Sequence, residues 1–465
     1  MIKFILNNET IATDLPPGTT LLDFVRYHRD LKGTKIGCRE GDCGACTMLV
    51  GTMTNDEIVY RSVTSCITPI GNVYGKHAVT VEGINMIDLS PVQQALVDES
   101  GTQCGFCTPG FVISLTGCCL NKGVLDESKM IEAIDGNICR CTGYKSIERA
   151  ASRINNLLSS RDNIKPLNWL VSNKFIPNYF EGIEQRLKEF QHDGPNDGEV
   201  VVGGGTDLYV QKHHETEASN IHFVNRNNSW GNIVVNGSRC TIGSTCTASD
   251  LMQSDVLLSF FPQLKNHLKL VSSTPIRNIG TLAGNFVNAS PIGDLTAFFL
   301  ALNCELTLVN RQGEQRSILL RDFYEGYKKL NKSDEENVSH IAFDLPDENS
   351  YFNFEKVSKR TYLDIASVNT AVLLRCQNNV IESAHLSAGG VAPIPLYLKK
   401  ASSFLVGKKV GDAWMEELKA IIQSEISPIS DVRGSEKYKR LLLNNLVFAH
   451  FVELFPDVFK KEVFA

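Results

Sequence analysis

The sequence predicts a multidomain α+β chain: a small, mainly β unit first, a helical unit next, then two larger mixed units. Three observations point there. Ten of the fourteen cysteines fall before residue 142, an asymmetry that marks a compositional boundary. The hydrophobic pattern passes from strand-like runs to helical spacing at Ser90. The polar, proline-bearing stretch SSRDNIKP then separates this helical region from alternating strands and helices. A length of 465 residues suits about three domains.

The elements follow in order. Ile2–Leu6 and Thr10–Thr13 flank an Asn-Asn-Glu turn and read as a hairpin. LLDFVRYHRDL carries apolar residues at helical spacing, and TMLVG, IVYRSVTSC and HAVTVEG read as short strands, closing the β unit near Gly83. SPVQQALVDES begins a helix with Ser90 as cap and Pro91 at the first position. TPGFVISLTGCCLNKG repeats the device with Thr108 and Pro109, and Gly123 reads as its stop. DESKMIEAIDGN and GYKSIERAASRINNLL complete about four helices. Beyond SSRDNIKP, EGIEQRLKEFQ is an amphipathic helix and EVVVGGGTDL a buried strand entering a glycine turn. YFNFEKVSKR, IASVNTAVLLRC and VIESAHLSAGG suit an antiparallel sheet, and two long helical patterns end the chain.

A net charge of −6 and a pI near 6.0 argue against nucleic acid as main partner. The opening MIKFILNNET has too short an apolar run for a secretory signal, and AFFLAL at 297–302 is core-like rather than membrane-spanning. The expectation is a cytoplasmic protein with no membrane partner. Disulfides do not suit that compartment, so the cysteines point to metal ligation or catalysis.

In KIGCREGDCGACTMLV the spacing is C-x4-C-x2-C, with Cys66 following Cys46 after nineteen residues. That is the plant-type ferredoxin pattern for a [2Fe–2S] cluster on Cys38, Cys43, Cys46 and Cys66. Gly37, Gly41 and Gly44 let the loop curl and aim N–H groups at sulfur. Structural zinc prefers two paired clips, and buried thiols prefer apolar neighbours; this loop offers neither. A second set comprises Cys104 and Cys107 in QCGFCTPG, and Cys139 and Cys141 in NICRCTGY. Each pair precedes a predicted helix start, where free N–H groups favour an anionic cluster. By spacing alone zinc competes for this second set. Cys118 and Cys119 read as core.

GCREGDCGACTM, TQCGFCTPGF and GNICRCTGY together resemble the iron–sulfur region of the xanthine dehydrogenase family of molybdenum hydroxylases, with all eight ligand positions filled. Two further stretches are similar to that family's flavin-binding domain. VVVGGGTDL at 200–208 lacks G-x-G-x-x-G and by itself is a tight turn. STPIRNIGTLAGNFVNASPIGDL, from Ser273, is rich in Gly, Ser, Thr and Asn, as suits a backbone-lined pyrophosphate site. The resemblance implies FAD contacts at Val202, Gly203, Gly204, Gly205, Thr206 and Asp207, at Gly280, Thr281, Leu282, Gly284 and Asn285, and at Ser290 and Asp294. Lys356, in EKVSKR, is read equally as a flavin contact and as a solvated edge-strand lysine. SDVRGSEKYKR resembles the family's flavoprotein tail.

The resemblance thus implies a β-grasp, ferredoxin-like [2Fe–2S] domain (1–84), a four-helix [2Fe–2S] domain (85–158), a linker (159–170), an α/β FAD-binding domain (171–348) and a C-terminal α+β flavoprotein domain with an antiparallel sheet (349–465). Clusters move one electron and a nicotinamide takes a hydride, so a flavin must convert between them. No segment is left for a molybdopterin domain. The expected function is therefore electron transfer in a two-chain xanthine dehydrogenase-type hydroxylase. Electrons would pass from a molybdopterin-bearing large subunit to the helical-domain cluster, the N-terminal cluster, FAD and NAD during purine oxidation. A dimer of heterodimers is the family's expectation. The alternatives are an aldehyde- or N-heterocycle-oxidising relative, a standalone iron–sulfur flavoprotein reductase using NADH, and a scaffold with structural zinc. No catalytic side chain is expected on this chain. The pair His213–His214, in QKHHETEAS, reads as a solvated loop.

Overall fold

Asn7, at φ 54°, turns the chain between β1 (Ile2–Leu6) and β2 (Glu9–Thr13), the predicted hairpin. Thr20 then caps α1 (Leu21–Asp23) through its hydroxyl. The following residues, Phe24–His28, wind as a π-turn rather than continuing the predicted α-helix. β3 (Thr47–Thr54) and β4 (Glu57–Thr64) form a second hairpin with Asn55 and Asp56 both at positive φ, the two-residue turn whose twist matches paired strands. β5 (His77–Val79) enters between β1 and β3, giving the mixed order β2-β1-β5-β3-β4. Phe4, Leu6, Leu21, Phe24, Met48 and Ala78 close its core. This is the expected ferredoxin-like domain.

The computed structural model describes residues 1–190, 198–224, 228–411 and 413–459. These fall into two compact units: Met1–Arg226 with Ser273–Gly280, and Asn227–Ser272 with Thr281–Ala465.

In the first unit four helices follow the sheet: α2 (Pro91–Asp98), α3 (Thr108–Leu120), α4 (Glu127–Ala133) and α5 (Lys145–Leu157). Ser90 and Gln93 form a reciprocal capping box at α2, as Ser90 and Pro91 predict. Two expectations at α3 need correcting. Its N-cap is Cys107, not Thr108, whose hydroxyl instead shares a hydrogen bond with Thr102 at 2.8 Å. Gly123 is not the stop either: α3 ends at Leu120 with Asn121 as C-cap, and Gly123 turns the loop beyond it. α3 is buried on every side from Gly110 to Leu120, which explains its unbroken apolar run.

The polar stretch read as a linker is tied down. Arg161 is buried and donates to the carbonyls of Cys119, Asn121 and Gly123, satisfying the end of α3. α6 (Pro166–Ser172) begins within the same stretch and packs Leu170 on the helical core, while α7 (Ile183–Lys188) seats Ile183 and Leu187 on Ile5 of β1. β6 (Val200–Val202) then runs parallel to β7 (Ile221–Phe223), joined through α8 (Leu208–Gln211) and α9 (His213–Ala218).

Among the described residues, the second unit holds three antiparallel sheets. β8 (Ile233–Asn236), β9 (Arg239–Gly243), β10 (Glu305–Val309), β11 (Gln315–Leu319) and β14 (Asn337–Asp344) are ordered β11-β10-β14-β9-β8. α10 (Ala248–Gln253), α11 (Asp255–Phe260) and α12 (Leu264–Lys269) precede α13 (Thr274–Arg277), which belongs to the first unit. α14 (Leu282–Val287) and α15 (Asp294–Ala301) follow, and β12 (Tyr324–Gly326) pairs with β13 (Lys329–Leu330). AFFLAL lies in α15 and its end, buried as expected, with Phe298 and Phe299 among a cluster of aromatic rings. β15 (Ser350–Val357), β16 (Val368–Gln377), β17 (Val380–Gly389) and β18 (Leu396–Tyr397) form the predicted C-terminal sheet. α16 (Lys399–Leu405), α17 (Met415–Glu425) and α18 (Glu436–Leu454) pack on it through Leu405, Leu418 and Phe451. Among the described residues, no helix is long and apolar enough to cross a membrane.

Candidate iron–sulfur and flavin sites

The loop carrying Cys38, Cys43 and Cys46 leaves the π-turn and enters β3. Gly41 and Gly44 hold positive φ, and a Cβ on Gly37 would lie 2.5 Å from the Cys43 sulfur. The Glu40 N–H donates to the Cys38 sulfur at 3.3 Å, and the Cys38 N–H donates to the Cys43 sulfur at 3.4 Å. Arg39 turns away to clasp both oxygens of Asp23. The four thiols lie as two hydrogen-bonded pairs. The bond to Cys43 pulls the Cys38 thiol down to about 5 and pushes Cys43 up. The bond between Cys46 and Cys66 lowers the first and, with burial, raises the second. Two thiols per iron is what a two-iron cluster requires, and N–H groups aimed at sulfur stabilise the thiolate form. The residues fit the group.

The helical set pairs likewise. The sulfurs of Cys104 and Cys141 lie 3.7 Å apart, both exposed. Cys107 and Cys139 form the inner pair. Burial, then Cys139, pushes the Cys107 thiol up to about 12. Burial would raise Cys139 too, but the Thr142 hydroxyl, 3.2 Å from its sulfur, and nearby N–H groups bring it down. Gly143 and Tyr144 take positive φ to turn the chain into α5, and the Tyr144 hydroxyl accepts the Cys139 N–H at 3.1 Å. Cys107 sits at the N-terminus of α3, where the helix dipole favours negative charge. Cys118 and Cys119 are buried in the helical core, as expected.

The two cysteine sets touch through backbone. Ile138, adjacent to Cys139, donates its N–H to the Cys43 carbonyl at 3.0 Å. Asn137 donates to the Gly44 carbonyl at 3.1 Å and accepts from Ser114 at 2.7 Å. Gly44 and Gly110 leave the space: a Cβ on either would lie 2.3 Å from the Gly136 or the Gly44 carbonyl, respectively. Sequence reading passed over Asn137 and Ile138, although they stand directly before the C-x-C motif.

The flavin candidates fall into two groups. In the first unit, the turn after β6 packs on the 273–280 segment. A Cβ on Gly204 would lie 1.8 Å from the Ile279 carbonyl, and Gly205 takes φ +83°. Asn72, from the ferredoxin-like domain, donates to the carbonyls of Gly203 and Gly204 at 2.9 and 3.3 Å. Thr206 lies beside Gly280, its hydroxyl 3.6 Å from where a Cβ would stand. Glycine at 204 is what lets the Ile279 carbonyl approach this turn so closely. Cys46 and Cys66 share an apolar cluster with Ile67, Tyr209, Ile276 and Ile279, so the buried cysteine pair adjoins both glycine stretches. Arg277, the lone cation of the second stretch, is buried against Asp135 at 2.6 Å.

In the second unit, Thr281 caps α14, which opens Leu282-Ala283-Gly284, by accepting the Gly284 N–H. Asn285 accepts twice from Thr296. Ser290 accepts from the Ile292 N–H. Asp294 is held by Lys356 at 2.7 Å and Asn369 at 2.6 Å. The side chain of Lys356 is 1% exposed and also bonds the Leu270 carbonyl, so it is not a solvated lysine.

Four family models match in chain order. A 2Fe-2S iron-sulfur cluster binding domain covers residues 4–71 and a [2Fe-2S] binding domain 80–152. An FAD binding domain in molybdopterin dehydrogenase covers 182–343, and a CO dehydrogenase flavoprotein C-terminal domain 353–454. The chain is 29% identical to xanthine dehydrogenase of Emericella nidulans, over 98% of this chain and 38% of that protein. It is 25% identical to aldehyde oxidase 2 of Mus musculus, over 98% of this chain and 39% of that one. It therefore spans about two fifths of the length of these relatives. A reconstituted CO dehydrogenase from Oligotropha carboxidovorans shares the fold, with a TM-score of 0.51 and 24% identity over 54% of this chain and 88% of that one. These two iron–sulfur domains, the FAD-binding domain and the flavoprotein C-terminal domain, in this order, match the 2Fe-2S and FAD small subunit of molybdenum hydroxylases.

Proposed function

We propose that this chain is the electron-transfer subunit of a xanthine dehydrogenase-type molybdenum hydroxylase, carrying electrons from a molybdopterin-bearing partner chain through two [2Fe–2S] clusters to FAD and on to NAD during purine oxidation. When bound, the clusters supply one-electron steps and the flavin converts them to the two-electron chemistry of a nicotinamide. Cys38, Cys43, Cys46 and Cys66 hold one cluster; Cys104, Cys107, Cys139 and Cys141 hold the other. The residues read as flavin contacts are Val202, Gly203, Gly204, Gly205, Thr206, Asp207, Gly280, Thr281, Leu282, Gly284, Asn285, Ser290 and Asp294, with Lys356 bonded to Asp294.

The observation that carries this reading is the continuity of the path inside the first unit. Cys139 reaches Cys43 through the Ile138 N–H, and Cys46 and Cys66 reach the glycine stretches through one apolar cluster. Short, hydrogen-bonded and apolar connections favour electron transfer between fixed centres. At the outer end, exposed Cys104 and Cys141 lie in loops with the exposed rings of Phe106 and Tyr144, a surface suited to the partner chain. All fourteen cysteines are free, which fits a cytoplasmic setting. A dimer of such heterodimers completes the proposal.

Isolation of the native complex tests it. Molybdenum on a co-purifying chain, with about four irons per flavin and reduction of NAD by xanthine, is expected. Purification without any molybdenum-bearing partner would overturn it in favour of a standalone NADH reductase. The likeness to aldehyde oxidase 2 favours a second reading, in which the partner chain oxidises aldehydes or N-heterocycles; turnover of an aldehyde but not xanthine would select it.

A further inference from the structure

QKHHETEAS is not a solvated loop. α9 places His213, His214 and Glu217 together, each offering a ligand atom within 4.8 Å of the others. Glu217 lies one helical turn on from both imidazoles, the spacing at which side chains meet on a helix surface. His213 Nε2 stands 3.9 Å from Glu217 Oε2. The platform beneath is anchored. The Tyr209 hydroxyl donates to the Gly18 carbonyl at 2.7 Å, and a Cβ on Gly18 would meet the Thr216 and Glu217 carbonyls at 2.6 and 2.7 Å. The group borders a cavity of about 610 Å³ whose wall also includes Asp23, His28, Cys38 and Arg39.

We propose that His213, His214 and Glu217 form a site for a divalent late transition-metal ion, Zn²⁺ in the first instance, separate from the iron–sulfur ligands. Two imidazoles select against Mg²⁺ and Ca²⁺, which take oxygen ligands. Zinc accepts two His and one Glu at about 2.0–2.2 Å with a fourth position for water. The exposed His214 and the half-exposed Glu217 close that distance by rotating their side chains. Asp23 does not supply the fourth ligand, because Arg39 and Thr20 occupy its carboxylate. The fourth position is left to water. An ion there adds positive charge to the wall that Cys38 shares. The inference stands independently of the proposed electron path.

The test uses the holoprotein, stripped with a chelator, equilibrated with ZnCl₂ and desalted. Metal analysis should find about one zinc per chain above an unchanged iron content. His214→Ala and Glu217→Gln should each weaken zinc binding at least tenfold in competition with a chromophoric chelator, while keeping the visible spectrum of the parent. His28→Ala, on the cavity wall but outside the triad, should bind zinc as the parent does. Equal binding by parent and His214→Ala, no binding by the parent, or zinc uptake matched by iron loss would each overturn the site.

Discussion

Ile138 gives its N–H to the carbonyl of Cys43, so the residue beside Cys139 of the helical cysteine set is hydrogen-bonded to Cys43 of the N-terminal set. Asn137 braces the junction. It is buried, and its side chain joins Gly44, Thr47 and Ser114.

Asn137→Ala strips a buried amide from that junction and leaves the Ser114 hydroxyl without its acceptor. A cost of about 1–3 kcal/mol is expected, read as a lowered melting temperature of the holoprotein. A variant as stable as the parent would show that the brace contributes nothing.

Cys139→Ser should remove one cluster and leave the other, halving the iron content and deleting one of two paramagnetic signals after reduction. Cys46→Ser should delete the complementary signal. Loss of both signals from either variant would show that the two sets do not assemble separately.

Gly204→Ala places a methyl group against the Ile279 carbonyl, at a distance no real side chain tolerates. The turn must shift, so bound FAD should fall to a small fraction of one per chain while iron stays unchanged. Retention of full flavin content would exclude this turn from the flavin site.

Arg277→Met leaves Asp135, which is 7% exposed, without its cation. Breaking one side of a buried pair costs about 3–5 kcal/mol, and Asp135→Asn in the same chain should recover part of it. Chemical denaturation of the parent, both single variants and the double variant measures the coupling.

Burial lowers His77 and His450 to about 3 and His267 to about 4. Unfolded imidazoles titrate near 6.5, so the unfolded chain binds more protons below that pH. Stability from keeping these rings neutral is whole above about pH 6.5 and is lost as pH falls toward the folded values. The loss is about 1.4 kcal/mol per pH unit for each ring. The melting temperature should fall from pH 7.5 to 5.5, and His450→Gln should make the fall shallower. A flat profile in the parent would contradict the buried, neutral assignment.

The readings that the structure overturned share a cause. Thr108 has the chemistry of a cap, but its hydroxyl found Thr102, so the N-cap passed to Cys107. Lys356 has the look of a solvated lysine, but on its edge strand it is buried against Asp294. QKHHETEAS is polar, yet it forms a helix seated on Gly18. In each case a polar stretch was judged without the contacts that folding gives it.

The eight cysteines, their division into two sets and the glycines that curl their loops were determined by the sequence, because ligand spacing within a loop is local covalent geometry. So were the strand hairpins and the capping box at Ser90, where neighbours within a few residues decide the outcome. The contact of Ile138 with Cys43, the seat of Gly204 on Ile279, the pair of Arg277 with Asp135 and the seat of the Thr216 and Glu217 carbonyls on Gly18 were decided only by tertiary structure. Each depends on segments brought together by burial of apolar faces, and that packing is a property of the whole chain rather than of any window along it.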